Sequence, residues 1–125
     1  MKDTYNTTML TDFYEITMAN GYFQSNAEVK DYIATFDMFF RRVPDNGGFA
    51  IMAGVEQLID YLKNLKFTDE DIEYLRGEGC FCEEFLDYLK NFEFVCDVWA
   101  VPEGTPILPY EPIVTVKGPA IQAQF

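Results

Sequence analysis

Histidine is absent from all 125 residues of this chain. Without it, neither a Ser–His nor a Cys–His nucleophilic pair can be assembled from this chain alone. Cysteine is scarce and odd in number, at Cys80, Cys82 and Cys96. The C-x-C of Cys80-Phe81-Cys82 lacks the C-x2-C spacing of zinc sites, and one further cysteine is all that could help it. The expectation is three reduced, mostly buried thiols and no metal site. No apolar run approaches the ~20 residues that a membrane span needs. The opening MKDTYNTTML also lacks the basic-then-apolar order of a secretory signal. A soluble, cytoplasmic protein without a membrane partner is expected.

Positive charge is scarce too: 9 basic residues face 21 acidic ones, a formal charge of −12. Such a surface repels a phosphate backbone, so no nucleic-acid partner is expected. An anionic small molecule would need a local basic patch, and Arg41-Arg42 is the only adjacent basic pair. What the chain does have is apolar and aromatic mass. Apolar residues make up 49% of it, with 12 Phe and 8 Tyr, enough for the core of one domain.

Read along the chain, periodicity alternates between helix and strand and gives an α+β class. Thr11 and Asp12, with Glu15 three residues after Asp12, resemble a capping box. The helix they open is expected to end near Asn20, with Gly21 as a left-handed stop. Asp31 to Phe40 alternates at period two with both faces largely apolar, as in a strand covered on both sides. Asn46-Gly47-Gly48 is a turn able to take positive φ, leading into a strand from Phe49 to Ala53. Val55, Leu58, Ile59, Leu62 and Leu65 recur at helical spacing. Thr68-x-x-Asp71 opens a helix from Asp69 to Arg76 that Gly77 ends. Another begins near Cys82 and turns Phe85, Leu86, Leu89 and Phe92 inward. FVCDVWAV, from Phe94, reads as a strand, PEGTP as a turn, and ILPYEPIVTVKG as one or two short strands. Pro119 fits the first turn of a helix running from Ala120 to Phe125. That helix shows no C-cap, so the chain reads as truncated.

The chemistry available in these residues is modest. Arg41-Arg42 closes an apolar strand before the glycine turn, where guanidinium groups and free backbone N–H groups could hold a phosphate. The plainer reading is that both arginines pair with the abundant acids. The glycines match neither G-x-G-x-x-G nor G-x4-G-K-[ST]. Glu83-Glu84 points in two directions along a helix and makes a poor catalytic pair. The short strands around PEGTP could build a hammerhead-like or barrel-sandwich unit of the carrier type. Lys117 lies at a strand end, however, and not at the hairpin tip that a carrier lysine needs.

Three stretches in order, TDFYEITMANGYF, FDMFFRRVPDNGGFAIMAG and VPEGTPILPYEPIVTVKGPAIQAQF, resemble the N-terminal part of nicotinate phosphoribosyltransferases across nearly the whole chain. The resemblance implies that residues 1–125 form the N-terminal α/β domain of a type II phosphoribosyltransferase, the last of them beginning the helix that leads into an α/β barrel. It implies an enzyme that makes nicotinate mononucleotide and pyrophosphate from nicotinate and phosphoribosyl pyrophosphate. The reaction is coupled to ATP hydrolysis in NAD salvage, in a homodimer with shared active sites. Tyr14 would stack on the pyridine ring of the partner's site, Asp12 would orient that corner, and Arg41 or Arg42 would meet the phosphates. Leu10, Tyr14, Met18 and Tyr22 would then form a helix side covered by the partner, while Phe13, Ile16, Asn20 and Phe23 form the core side. ATP and Mg2+ are implied for the full-length enzyme and none for these residues alone, which lack the family's phosphoryl-accepting histidine and most of its barrel. Two alternatives stand beside this: a non-catalytic dimerisation or pyridine-binding module, and the nicotinamide or quinolinate branch.

Overall fold

The computed structural model describes residues 6–25 and 32–125. Helix α1 spans Phe13–Gln24, with Asp12 as its N-cap in extended backbone. The Asp12 side chain makes no capping hydrogen bond, so the expected capping box does not form. Nor does Gly21 stop the helix, which continues to a cap at Ser25. The reason lies in packing. Tyr22 and Phe23 sit against the main core, and burying aromatic surface outweighs the roughly 1 kcal/mol that a mid-helix glycine costs.

Three further helices follow: α2 at Val55–Asn64, α3 at Asp69–Gly77 and α4 at Glu83–Lys90. Thr68-x-x-Asp71 opens α3 as the sequence suggests, and the structure shows the two residues capping it reciprocally. Thr68 Oγ1 accepts from Asp71 N at 3.2 Å, and Asp71 Oδ2 accepts from Thr68 N at 2.8 Å. The same carboxylate receives Asn6 Nδ2 at 3.3 Å, and Lys66 N donates to Thr8 Oγ1 at 3.0 Å, which ties the N-terminal segment to this corner. Gly77 is the last residue of α3 instead of its stop, and the left-handed position falls to Gly79 at φ 69°. The main core gathers Ile16 and Ala19 from α1, Ile72 and Leu75 from α3, and Phe85, Leu86 and Leu89 from α4. Leu65, Phe67 and Phe92 join it from the connections. Ile121 joins it from the short helix α5, Ala120–Ala123. Pro119 is the N-cap of α5 and the last residue of a strand, not a first-turn residue.

The strands are β1 at Ile33–Met38, β2 at Ala50–Ile51, β3 at Asp97–Ala100, β4 at Pro106–Ile107 and β5 at Val114–Pro119. All pairings are antiparallel. β5 lies between β1 and β3, with Val116 opposite both Phe36 and Val98, and β2 pairs with β4. A second, smaller core of Met52, Ile107 and Val114 joins the two sheets. Strand β1 is shorter than Asp31 to Phe40, and Asp31 lies outside the described residues. It is also not covered on both sides, since Ile33, Phe36 and Met38 are all exposed. Alternation reports which residues share a face; it does not report whether this chain covers that face. The turn before β2 places Asp45 and Asn46 in the left-handed region at φ 57° and 55°, while Gly47 is extended.

Two positions test this architecture. Thr68→Ala removes the reciprocal cap and should lower stability by ~1 kcal/mol, read as a shift in the denaturant midpoint at unchanged slope. Gly118 lies where an added Cβ would come within 2.9 Å of Cys96 Cβ and 3.0 Å of Cys96 Cα. Because one of those neighbours is backbone, Gly118→Ala should force β3 away from β5 and cost on the order of 1–3 kcal/mol. A melting temperature equal to that of the parent would contradict this packing.

Candidate functional site

The orientation of α1 decides what its N-terminal half can do. Its inner side is pinned by Ile16, Ala19 and Asn20, all buried. Asn20 Nδ2 donates to the Cys80 carbonyl at 3.2 Å, and Gln24 Nε2 donates to Asn20 Oδ1 at 3.1 Å. Gln124 Nε2, just beyond α5, donates to the Glu15 carbonyl at 2.8 Å and holds the first turn. With that side fixed, Leu10, Tyr14 and Met18 face outward, exposed by 82%, 56% and 43%. Two residues depart from the expected division. Tyr22 packs against the core, and Phe13 is exposed at its edge, its ring 5.9 Å from Phe81 in a T-shaped contact. The Tyr14 phenol is pushed above its ordinary pKa, first by a hydrogen bond and charge from Glu15, then by burial and Asp12. It is therefore neutral at physiological pH. The Asp12 side chain is exposed and has no hydrogen-bond partner among the described residues.

Arg41 and Arg42 lie beyond the end of β1, not on it, so strand alternation does not set their directions. Both are exposed. The ion pairs among the described residues join Arg76 to Glu73 and Glu83, and Lys90 to Asp69. The plainer reading, in which acids neutralise Arg41 and Arg42, therefore does not hold there. Arg41 instead lies over the Phe39 ring, its Cζ 5.5 Å from the centroid, an exposed cation–π contact worth ~0.5–1 kcal/mol. Phe39 in turn lies 5.9 Å from the Tyr110 ring, tilted by 33°. The Tyr110 N–H donates to the Phe40 carbonyl at 2.9 Å, and Ile113 N donates to the Met38 carbonyl at 2.8 Å. The glycine turn is less open than expected, because Gly47 N already donates to the Pro44 carbonyl at 3.1 Å.

No hydrogen bond, ion pair or ring contact among the described residues links Tyr14 or Asp12 to Arg41 or Arg42. One polar anchor has no signal in the local sequence. Glu103 accepts from Gly54 N at 3.0 Å and Val55 N at 2.9 Å, placing a carboxylate on the N-terminus of α2. That pairing satisfies orphan N–H groups and complements the helix dipole. PEGTP reads as a bare turn in sequence because Glu103 is 48 residues from the helix it caps. A cavity of about 330 Å³ lies between β1, β5 and the end of the chain, lined by Phe36, Met38, Val116 and Phe125 among others.

The thiols also correct an expectation. All three cysteines are free, but Cys80 is exposed and Cys82 and Cys96 are half-buried. Cys80 follows the left-handed Gly79 in the α3–α4 connection, which carries it out of the core. Burial, followed by the charge of Asp97, raises the Cys96 thiol to about 11. Cys96 therefore stays protonated until the pH nears that value, and the thiolate is the reactive form. Alkylation followed by peptide mass mapping at pH 8 should modify Cys80 first and Cys96 last. Early loss of Cys96 would contradict this order.

Fold and site together define an α+β domain whose candidate binding groups, Asp12, Tyr14, Arg41 and Arg42, are all exposed. The chain belongs to the nicotinate phosphoribosyltransferase family: the family model described as nicotinate phosphoribosyltransferase (NAPRTase) N-terminal domain matches residues 9–125. It is 42% identical over 117 residues to nicotinate phosphoribosyltransferase pncB2 of Mycobacterium tuberculosis, covering 94% of this chain and 25% of that protein. It is 43% identical over 115 residues to the nicotinate phosphoribosyltransferase of Bacillus subtilis, covering 92% and 23%. The crystal structure of human nicotinic acid phosphoribosyltransferase superposes with a TM-score of 0.79 at 32% identity, over 91% of this chain and 23% of that one. The chain thus spans about a quarter of the length of these relatives.

Proposed function

We propose that residues 1–125 act as the N-terminal domain of a cytoplasmic enzyme that joins nicotinate to phosphoribosyl pyrophosphate. The products are nicotinate mononucleotide and pyrophosphate, formed with ATP hydrolysis in NAD salvage. The observation that carries this reading is the outward face of α1, where Tyr14 stands exposed between Leu10 and Met18 on a chain of this family. An exposed aromatic between two exposed apolar residues is a surface suited to completing a neighbouring site. In this reading the neighbour is the second subunit of a homodimer, with Tyr14 stacked on the nicotinate ring and Asp12 beside it. No helix among the described residues is long and apolar enough to cross a membrane.

The chemistry asks little of a nucleophile in this domain. Transfer at the anomeric carbon leaves a cation-like ribosyl centre, so catalysis depends on positioning and on holding phosphate charge. A neutral, flat ring at Tyr14 orients the pyridine at low entropic cost. A guanidinium at Arg41 or Arg42 can take two phosphate oxygens at once, and neither is neutralised by an acid among the described residues. The residues described here do not fit Mg2+ or the phosphoryl group of ATP. They hold no cluster of three or more potential metal ligands, and the sequence has no histidine.

In the active enzyme carrying this domain, Tyr14→Ala should reduce kcat/KM for nicotinate by the equivalent of ~1–3 kcal/mol, and Tyr14→Phe should retain most of it. An unchanged kcat/KM in the alanine variant would remove Tyr14 from the site. Calorimetry of the 125-residue chain with nicotinate separates this reading from a stand-alone pyridine-binding module. Heat of binding from the chain alone supports the module, and binding only in the assembled enzyme supports the shared site.

A further inference from the structure

The segment Leu108-Pro109-Tyr110-Glu111 closes a turn, with Glu111 N donating to the Leu108 carbonyl at 3.4 Å. Proline at the second position and a residue of positive φ at the third are the marks of a type II turn. The third position normally takes glycine or asparagine, yet here it is tyrosine, at φ 65°. A bulky residue in the left-handed region persists only where its surroundings hold it, and such positions concentrate at functional sites.

What the ring does there is visible. It lies 5.9 Å from Phe39, whose own ring carries the Arg41 guanidinium at 5.5 Å. The backbone is locked to the same strand end, because Tyr110 N donates to the Phe40 carbonyl at 2.9 Å. The turn also removes a competitor. The Glu111 carboxylate accepts from Leu108 N at 3.3 Å and is thereby turned back into its own loop. Arg42 has no ring, hydrogen-bond or ion partner among the described residues. The two adjacent arginines, equivalent in sequence, are thus unlike in structure.

We infer that Tyr110 is a positioning residue which, by backing Phe39, selects Arg41 over Arg42 as the guanidinium held ready for a phosphate of the phosphoribosyl substrate. The inference rests on the reading of the site given above. Its physical basis is preorganisation: an arginine whose stem and plane are already ordered loses less freedom when it takes two oxygens.

The decisive substitution is Tyr110→Gly, which removes the ring while giving the turn the residue it favours, so that the fold is kept. Tyr110→Phe keeps the ring. In NMR spectra of the 125-residue chain, the Arg41 side-chain protons should be displaced by the ring current of Phe39. That displacement should survive in Tyr110→Phe and collapse in Tyr110→Gly, with Arg42 unmoved throughout. In the active enzyme, Tyr110→Gly should raise KM for phosphoribosyl pyrophosphate several-fold and Arg41→Gln roughly tenfold or more. The double variant should be no worse than Arg41→Gln alone. An Arg41 signal indifferent to Tyr110→Gly overturns the positioning role whatever the enzyme does. A signal that collapses while both variants keep the parental KM overturns instead the phosphate reading on which the role rests. A larger KM effect from Arg42→Gln than from Arg41→Gln overturns the choice between the two arginines.

Discussion

The aromatic packing around Phe85 is the constraint on which the rest of this domain depends. Phe85 is fully buried, and its ring lies 5.6 Å from Phe23 of α1, 5.9 Å from Phe81 and 6.3 Å from Tyr88. Tyr88 passes the contact to Phe92, and Phe92 to both Phe67 and Phe125. Side chains from α1, α4, the connection before α3 and the end of the chain therefore meet in one continuous cluster. Interiors of this kind pack like solids and have few alternative arrangements. Once Phe23 and Ile16 are committed to the cluster, the rotation of α1 is set. Tyr14 must then face outward.

The sheet half of the molecule answers to a weaker constraint. Its small core of Met52, Ile107 and Val114 leaves much of β1 uncovered. Order there comes from hydrogen bonds that tie loops to strand ends: Glu103 on the start of α2, Thr105 on Met52, and Tyr110 on Phe40. These contacts place polar and charged groups with precision where apolar burial is thin. Several acids are also engaged away from Arg41 and Arg42 among the described residues. Glu103 and Glu111 are occupied by backbone N–H groups, and the Arg76 and Lys90 pairs engage acids on α3 and α4.

Much of this was legible in the residues. The start of α3 at Thr68-x-x-Asp71, the inward set Phe85, Leu86, Leu89 and Phe92, and the two-sided character of α1 all follow from short-range patterns. Gly21 and Gly77 both read as helix stops, yet packing of Tyr22 and Phe23 carries α1 through the first, and α3 simply includes the second. The exposure of β1 is not legible in its alternation, which describes a strand and not its surroundings. The pairing of Glu103 with Gly54 and Val55 was missed because no local pattern announces a contact across nearly fifty residues.

The candidate site shows the same division. Residue pattern showed α1 to be aromatic on more than one side, only the family resemblance singled out Tyr14 there, and Arg41-Arg42 stood out as the one adjacent basic pair in a chain of charge −12. It could not tell Arg41 from Arg42, since neighbours in sequence share every local property. Only the tertiary structure separates them, by bringing Tyr110, far along the chain, to stand behind Phe39. Local composition and spacing determine which groups are available and on which side of an element they lie. Which of those groups is held still depends on chain segments that meet only after folding.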